Sequence, residues 1–96
     1  MENIDSSTVD DLSVSYFEDG VEVVKELDKQ ILTKGAWATV MYKYQDWDKK
    51  ANDYGPIKFT IRRYQKNNGI YKYRSKFNIS SIEQAKKVIE ILTAWV

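Results

Sequence analysis

Two runs of alternating side chains, joined by a tight turn, constrain the fold of this 96-residue chain most strongly. Residues 57–64 and 70–79 alternate apolar with polar or basic side chains, and Asn68-Gly69 lies between them. A period of two is typical of a strand with one buried face. Asn-Gly supplies the positive φ angles that a tight hairpin turn requires. The sequence therefore predicts a β-hairpin with one apolar face and one basic face.

Earlier segments complete the predicted sheet. Residues 36–45 alternate as a strand, which places Trp37 and Lys43 on the same face. Residues 46–56 are rich in charge and contain Asn-Asp and Gly-Pro pairs, so they predict a loop. Residues 21–32 alternate at their start but contain good helix formers further on. We interpret them as a strand and leave a helix open as the alternative.

The C-terminal residues predict a helix with a wide apolar surface. Residues 80–83, Ser-Ser-Ile-Glu, have the form of a capping box that begins at the first serine. Downstream, apolar side chains cover about 180° of the helix circumference. One sheet face rarely covers so wide an arc, so either the helix is nearly engulfed or it packs on the sheet and also on a second copy of itself. We expect a homodimer formed through the helix, with Val88, Ile91 and Trp95 at the interface. The predicted fold is α+β, with four antiparallel strands followed by one helix.

Charge divides the chain into an acidic leader and a basic body. Residues 1–28 contain nine acidic residues and one base, whereas residues 29–96 contain 14 bases and five acidic residues. Because residues 1–19 are also poor in apolar side chains, we expect them to form an acidic, largely disordered leader. Residues 20–96 are then the folded domain. A basic body predicts a negatively charged partner.

The composition excludes several kinds of chemistry. The chain has no cysteine and no histidine, so it offers no disulfide, no thiol nucleophile and no Cys/His zinc site. Asp46, Asp48 and Asp53 lie close in sequence but lack the Gly and Glu spacing of a calcium loop. We therefore expect a binding domain without metal, cofactor or enzymatic activity. The acidic, polar N-terminus and the absence of a long apolar run favour a cytoplasmic location without membrane contact.

The basic face of the predicted hairpin is the main indication of function. Its strands carry five bases and no acidic residue, whereas a face that serves only solubility usually mixes both signs. Bases at strand spacing can neutralise successive phosphates, and Trp37 and Tyr64, predicted on this face, can stack on nucleobases. We predict binding of single-stranded DNA or RNA in transcription, replication or repair, with an acidic protein partner as the alternative. The predicted contact residues are Trp37, Lys43, Lys58, Arg62, Tyr64, Lys72, Arg74 and Lys76.

Three stretches of the chain also carry a resemblance to a known family. Residues 34–37 (Lys-Gly-Ala-Trp), 57–64 (Ile-Lys-Phe-Thr-Ile-Arg-Arg-Tyr) and 76–80 (Lys-Phe-Asn-Ile-Ser) precede the terminal helix in that order. Together they resemble the single-strand-binding domain of the positive-cofactor-four transcriptional coactivator family and its bacterial relatives. The resemblance extends over residues 20–96. It implies a four-stranded curved antiparallel sheet, dimerisation through the helices and single-stranded DNA lying across the strands. By motif match it implies contacts from Trp37, Lys58 and Arg62.

Overall fold

The computed structural model describes residues 8–96 and contains one antiparallel sheet followed by one helix. Its elements are β1 (Tyr16–Glu18), β2 (Val21–Thr33), β3 (Trp37–Asp48), β4 (Asp53–Tyr54), β5 (Lys58–Asn67), β6 (Ile70–Ile79) and α1 (Ile82–Trp95), preceded by a 3-10 turn at Val9–Asp11. Across the sheet the strands lie in the order β1-β2-β3-β5-β6, and the short β4 pairs with β3. The α+β class, the curled antiparallel sheet and the C-terminal helix are confirmed, whereas the predicted number of four strands is wrong.

The four predicted strands correspond to β2, β3, β5 and β6. The two alternating runs form the β5–β6 hairpin, and Asn68 and Gly69 in its turn have φ angles of 53° and 79°. Glycine adopts such angles freely and asparagine tolerates them, which is why this pair predicts the turn. The segment that was ambiguous between strand and helix is strand β2, so the strand interpretation is confirmed.

Two short strands were not predicted. β1 joins β2 through a turn in which Asp19 and Gly20 have φ angles of 52° and 81°. β4 folds back on the end of β3, where Trp47 pairs with Tyr54 and their rings meet edge to face at 5.1 Å between centroids. The prediction of a loop over residues 46–56 is therefore wrong in part, because the aromatic pair holds a second hairpin within it.

The two faces of the sheet differ in what lies over them. On one face, which we call the covered face, residues 8–15 lie against the strands. The core on this face consists of Val9, Leu12, Val14, Ala38, Val40, Tyr42, Tyr64 and Tyr71. The opposite face, which we call the helix face, carries α1 over one end. There Ala85, Val88, Ile89 and Leu92 lie near Met41, Phe59 and Ile79.

Residues 8–15, which we call the covering segment, are held to the sheet by polar contacts as well as by apolar packing. Lys29 Nζ donates to the backbone carbonyls of Val9, Asp10 and Leu12 at 2.7, 2.9 and 2.6 Å. Glu26 Oε1 accepts from Ser13 Oγ at 2.7 Å. In the structure residues 8–19 are therefore ordered, because β2 supplies partners for this segment, and whether they are disordered in solution stays a prediction. The rest of the leader, residues 1–7, lies outside the described residues.

The helix begins one residue later than predicted. Ser81 is the N-cap, and its Oγ accepts from the Gln84 backbone amide at 3.0 Å, while Gln84 Oε1 accepts from the Ser80 amide at 2.7 Å. The cap therefore uses the Ser81 hydroxyl and the Gln84 side chain in place of Ser80 and Glu83, and the return hydrogen bond goes to the amide of Ser80, one residue before the N-cap. α1 has 14 residues. No helix within residues 8–96 has the length and apolar character needed to cross a membrane.

Candidate nucleic-acid interface

The strand register divides the predicted contact residues between the two faces. Trp37 pairs with Gln65, and Gln65 pairs with Lys72, which places Trp37 and Lys72 on the helix face. Arg62 and Lys76 pair with each other on the covered face. The prediction of one common basic face is therefore wrong. In full, Trp37, Lys43 and Lys72 lie on the helix face, and Lys58, Arg62, Tyr64 and Lys76 lie on the covered face.

Two features of the strand pairing produce this division. The register of β5 against β3 places Trp37 and Lys43 on the face opposite to Lys58, Arg62 and Tyr64. A β-bulge in the β5–β6 hairpin then separates Lys72 from Lys76 within β6. The register passes from Ser75 to Tyr73 without a position for Arg74, which is therefore an extra residue in β6. One extra residue reverses the facing of every side chain beyond it. Lys72 and Lys76, which strict alternation would place together, consequently point to opposite faces.

Two of the predicted contact residues are buried in the covered face. Tyr64 is 1% exposed, and its hydroxyl shares a 3.0 Å hydrogen bond with that of Tyr42. Burial raises the pKa of both phenols above the ordinary 10.0, so the pair remains neutral. Arg62 is 6% exposed, and its guanidinium lies 5.4 Å from the ring centroid of Tyr73. The prediction that Tyr64 and Trp37 form one stacking surface is therefore wrong.

Two predicted lysines lie away from the tryptophan. Lys58 Nζ contacts Asp46 Oδ2 at 3.1 Å, and both side chains are partly exposed. Lys43 lies on the helix face opposite Asp28 of β2. Six residues separate Lys43 from Trp37, which corresponds to about 20 Å of strand. The structure therefore does not bring Lys43 or Lys58 close to Trp37.

The helix face does bring an aromatic ring and several cations together at the end near the β5–β6 turn. We call this cluster the basic end, and it consists of Trp37, Arg63, Gln65, Lys72 and Arg74. The Arg63 guanidinium lies 4.5 Å from the ring centroid of Trp37, and Trp37 is 38% exposed. Arg74 Nε donates to Gln65 Oε1 at 3.0 Å. The adjoining register positions within the described sheet hold Thr39 and Ser75, so no acidic residue interrupts the cluster.

Arg63 is the residue of this cluster that sequence analysis missed. Strict alternation along the strand places Arg63 on the same face as Phe59 and Ile61, and the sequence predicts that this face is buried. A signal was present in the Arg62-Arg63 pair, because adjacent residues of a strand point to opposite faces. Two consecutive arginines therefore imply one cation on each side of the sheet.

Beyond the basic end, part of the helix face is apolar and only partly covered. One cross-strand row consists of Met41, Ile61 and Phe77. α1 leans over the next row but has no buried residue of its own. Among the predicted dimer-interface residues, Val88 is half-buried toward the sheet, Ile91 is exposed, and Trp95 is 79% exposed. Their role in an interface stays a prediction.

Comparisons of the chain with protein-family models, curated proteins and solved structures found no match. The resemblance to the positive-cofactor-four family therefore also stays a prediction. Within residues 8–96, no three His, Cys, Asp or Glu side chains are grouped so that they could hold a metal ion. The candidate interface is defined by its geometry and its charge.

Proposed function

We propose that this chain binds single-stranded nucleic acid across the basic end of its helix face, without catalysing a reaction. The observation that carries the proposal is the exposed Trp37 ring, with the Arg63 guanidinium 4.5 Å from its centre, beside Lys72 and Arg74. Stacking on an aromatic ring is worth about 1–3 kcal/mol per base. Each neutralised phosphate adds a salt-dependent contribution to affinity.

The geometry favours a single strand over a duplex. Bases in a duplex stack on each other and present only their edges in the grooves. A single strand exposes the flat faces of its bases, on which Trp37 and the Arg63 guanidinium can stack. Lys72 and Arg74 lie on β6, one strand beyond Arg63 and about 10 Å, or two strand spacings, from Trp37, where they can contact the phosphates. The resemblance to the positive-cofactor-four family supports the same ligand, and with it a role in transcription, replication or repair.

We also propose that the functional unit is a homodimer formed through α1. The helix has no buried residue, and its apolar side chains include the exposed Ile89, Leu92 and Trp95. Covering apolar surface is worth about 25 cal/mol per Å², so a second copy packed on this helix is favourable. Two copies would also carry two basic ends, which raises the affinity for any strand long enough to reach both. The proposed interface residues are Val88, Ile91 and Trp95.

Fluorescence anisotropy with labelled oligonucleotides tests the binding proposal. Trp37→Ala should weaken binding by about 1–3 kcal/mol with little change in salt dependence, because stacking releases no counterions. Arg63→Ala should weaken binding and also flatten the slope of log affinity against log salt by about 0.7. Lys43→Ala is the matched control, since it lies on the strand and face of Trp37 but far from the basic end. It should keep wild-type affinity.

Two outcomes would overturn this proposal. If the wild type shows no salt-dependent binding of single strands at about 50 mM salt, the chain does not bind nucleic acid through this cluster. The basic end would then fit the alternative partner, an acidic protein segment. If Lys43→Ala and Arg63→Ala lose affinity equally, binding follows overall charge and has no defined site.

A further inference from the structure

A recess of about 260 Å³ opens on the covered face, between the covering segment and β6. It lies on the opposite side of the sheet from the basic end, and the proposed nucleic-acid interface does not use it. Val14 and Val24 contribute apolar side chains to its lining, together with Tyr44 and Thr60. The volume far exceeds the roughly 30 Å³ that one water occupies, so the recess can hold an organic molecule.

One end of the recess carries an excess of positive charge. Arg62 and Lys76 both line it and are cross-strand partners, so their Cβ atoms lie about 5 Å apart. Arg62 is buried with its guanidinium near the Tyr73 ring, which restrains its orientation, while Lys76 is exposed at the rim. The planar guanidinium of Arg62 has several N–H donors, and the Lys76 ammonium adds a second positive charge. Together they suit the oxygens of a phosphate group.

Polar groups continue toward the other end of the recess. Thr60 Oγ1 donates to Asn78 Oδ1 at 2.7 Å, which leaves the Asn78 amide nitrogen to donate elsewhere. Asp46 is the acidic residue of the lining, and Lys58 Nζ contacts its carboxylate at 3.1 Å. Asp46 can therefore accept a further hydrogen bond while its charge is balanced. Arg62 and Lys58 are four residues apart on β5, which corresponds to about 13 Å.

We propose that this recess binds a phosphomonoester of nucleoside size, with the phosphate between Arg62 and Lys76 and the base toward Asp46. A nucleoside monophosphate carries an anionic group at one end and N–H donors at the other, as the two ends of the recess require. Its flat rings can pack against Val24 and Tyr44, which line the recess and are partly exposed. The site is independent of the function proposed for the helix face. Because Val14 belongs to the covering segment, bound ligand also stabilises that segment against the sheet.

Amide chemical shifts of the full chain, titrated with three probes, test the proposal. The probes are thymidine 5′-monophosphate, thymidine and inorganic phosphate. The nucleotide should produce saturable shifts at Thr60, Arg62 and Asn78, whereas thymidine should not. Lys76→Gln should weaken nucleotide binding about tenfold, as expected for one charge-assisted hydrogen bond. Lys43→Gln, an equal charge change on the opposite face, should leave it unchanged, and both exposed positions tolerate substitution.

The outcomes separate the sources of binding. Saturable shifts with inorganic phosphate alone would support the phosphate end of the site. Thymidine binding as tightly as the nucleotide, or no saturable shift up to about 10 mM ligand, would overturn the proposal. Equal effects of Lys76→Gln and Lys43→Gln would also overturn it. If a single-stranded oligonucleotide shifts these amides and the mononucleotide does not, the recess belongs to a polymer path and the proposal is wrong. None of these results changes the expectation for Trp37→Ala.

Discussion

Leu12 in the covering segment offers the sharpest test of how the fold is held together. Leu12 is 1% exposed, and only Val9 and Val14 accompany it among the buried apolar residues of this segment. Truncating a fully buried leucine costs about 2.7–5 kcal/mol, because transfer energy is lost and a cavity remains. For a domain of this size each kcal/mol lowers Tm by about 4–8 °C. Leu12→Ala should therefore lower Tm by at least about 10 °C.

Thermal unfolding followed by circular dichroism measures this fall in Tm, and urea unfolding measures the free energy of unfolding. Asp10→Ala is the matched control, because its side chain is exposed and only its backbone carbonyl contacts Lys29. It should change the free energy of unfolding by less than about 0.5 kcal/mol. If Leu12→Ala costs no more than this control, the covering segment contributes nothing to stability. The residues before β1 would then behave as the disordered leader that composition predicts.

Three further predictions concern the helix, the buried phenols and assembly. Ser81→Ala should destabilise the helix by about 1 kcal/mol and Ser80→Ala by less, which thermal melting followed at a helix wavelength compares directly. Burial raises the pKa of Tyr42 above 10.0, so the folded state keeps a proton that the unfolded chain releases. Below pH 10 this group should not affect the free energy of unfolding, and above pH 10 the free energy of unfolding should decrease as pH rises. In urea titrations, Tyr42→Phe should make this decrease with pH smaller. The chain should sediment at twice its monomer mass at about 10 μM, with Trp95→Ser shifting it toward monomer, and a wild-type monomer would contradict the dimer.

The β5–β6 hairpin shows what local pattern predicts well. Alternation marked both strands, and Asn68-Gly69 marked the turn, because these signals depend on neighbouring residues alone. The bulge at Arg74 leaves no comparable mark. Its position depends on which residues of β5 lie opposite, and that pairing is a property of the whole sheet. The separation of Lys72 from Lys76 follows from this one residue, whereas the separation of Trp37 from Arg62 follows from the pairing of β5 with β3.

The sequence therefore predicted the chemistry of the candidate site, an aromatic ring among cations, but not which residues form it. Trp37, Lys72 and Arg74 were expected to act together, and they share the basic end. Arg62 was expected at the surface but is buried, and Arg63 takes the place beside the tryptophan. Because both arginines lie on one alternating strand, only the pairing with β3 could decide which of them faces the ring.

The sequence by itself determined the α+β class, the long strands, the C-terminal helix and the abundance of bases and aromatic rings. These depend on periodicity, turn chemistry and composition, which are local or additive properties. Only the tertiary structure decided that residues 8–15 form part of the core and that the bases divide between two faces. Both results require contacts between distant parts of the chain. Examples are the hydrogen bonds from the Lys29 ammonium to three backbone carbonyls of residues 9–12 and the register of β5 against β6. Such contacts form only when the whole sheet is assembled, so no local pattern records them.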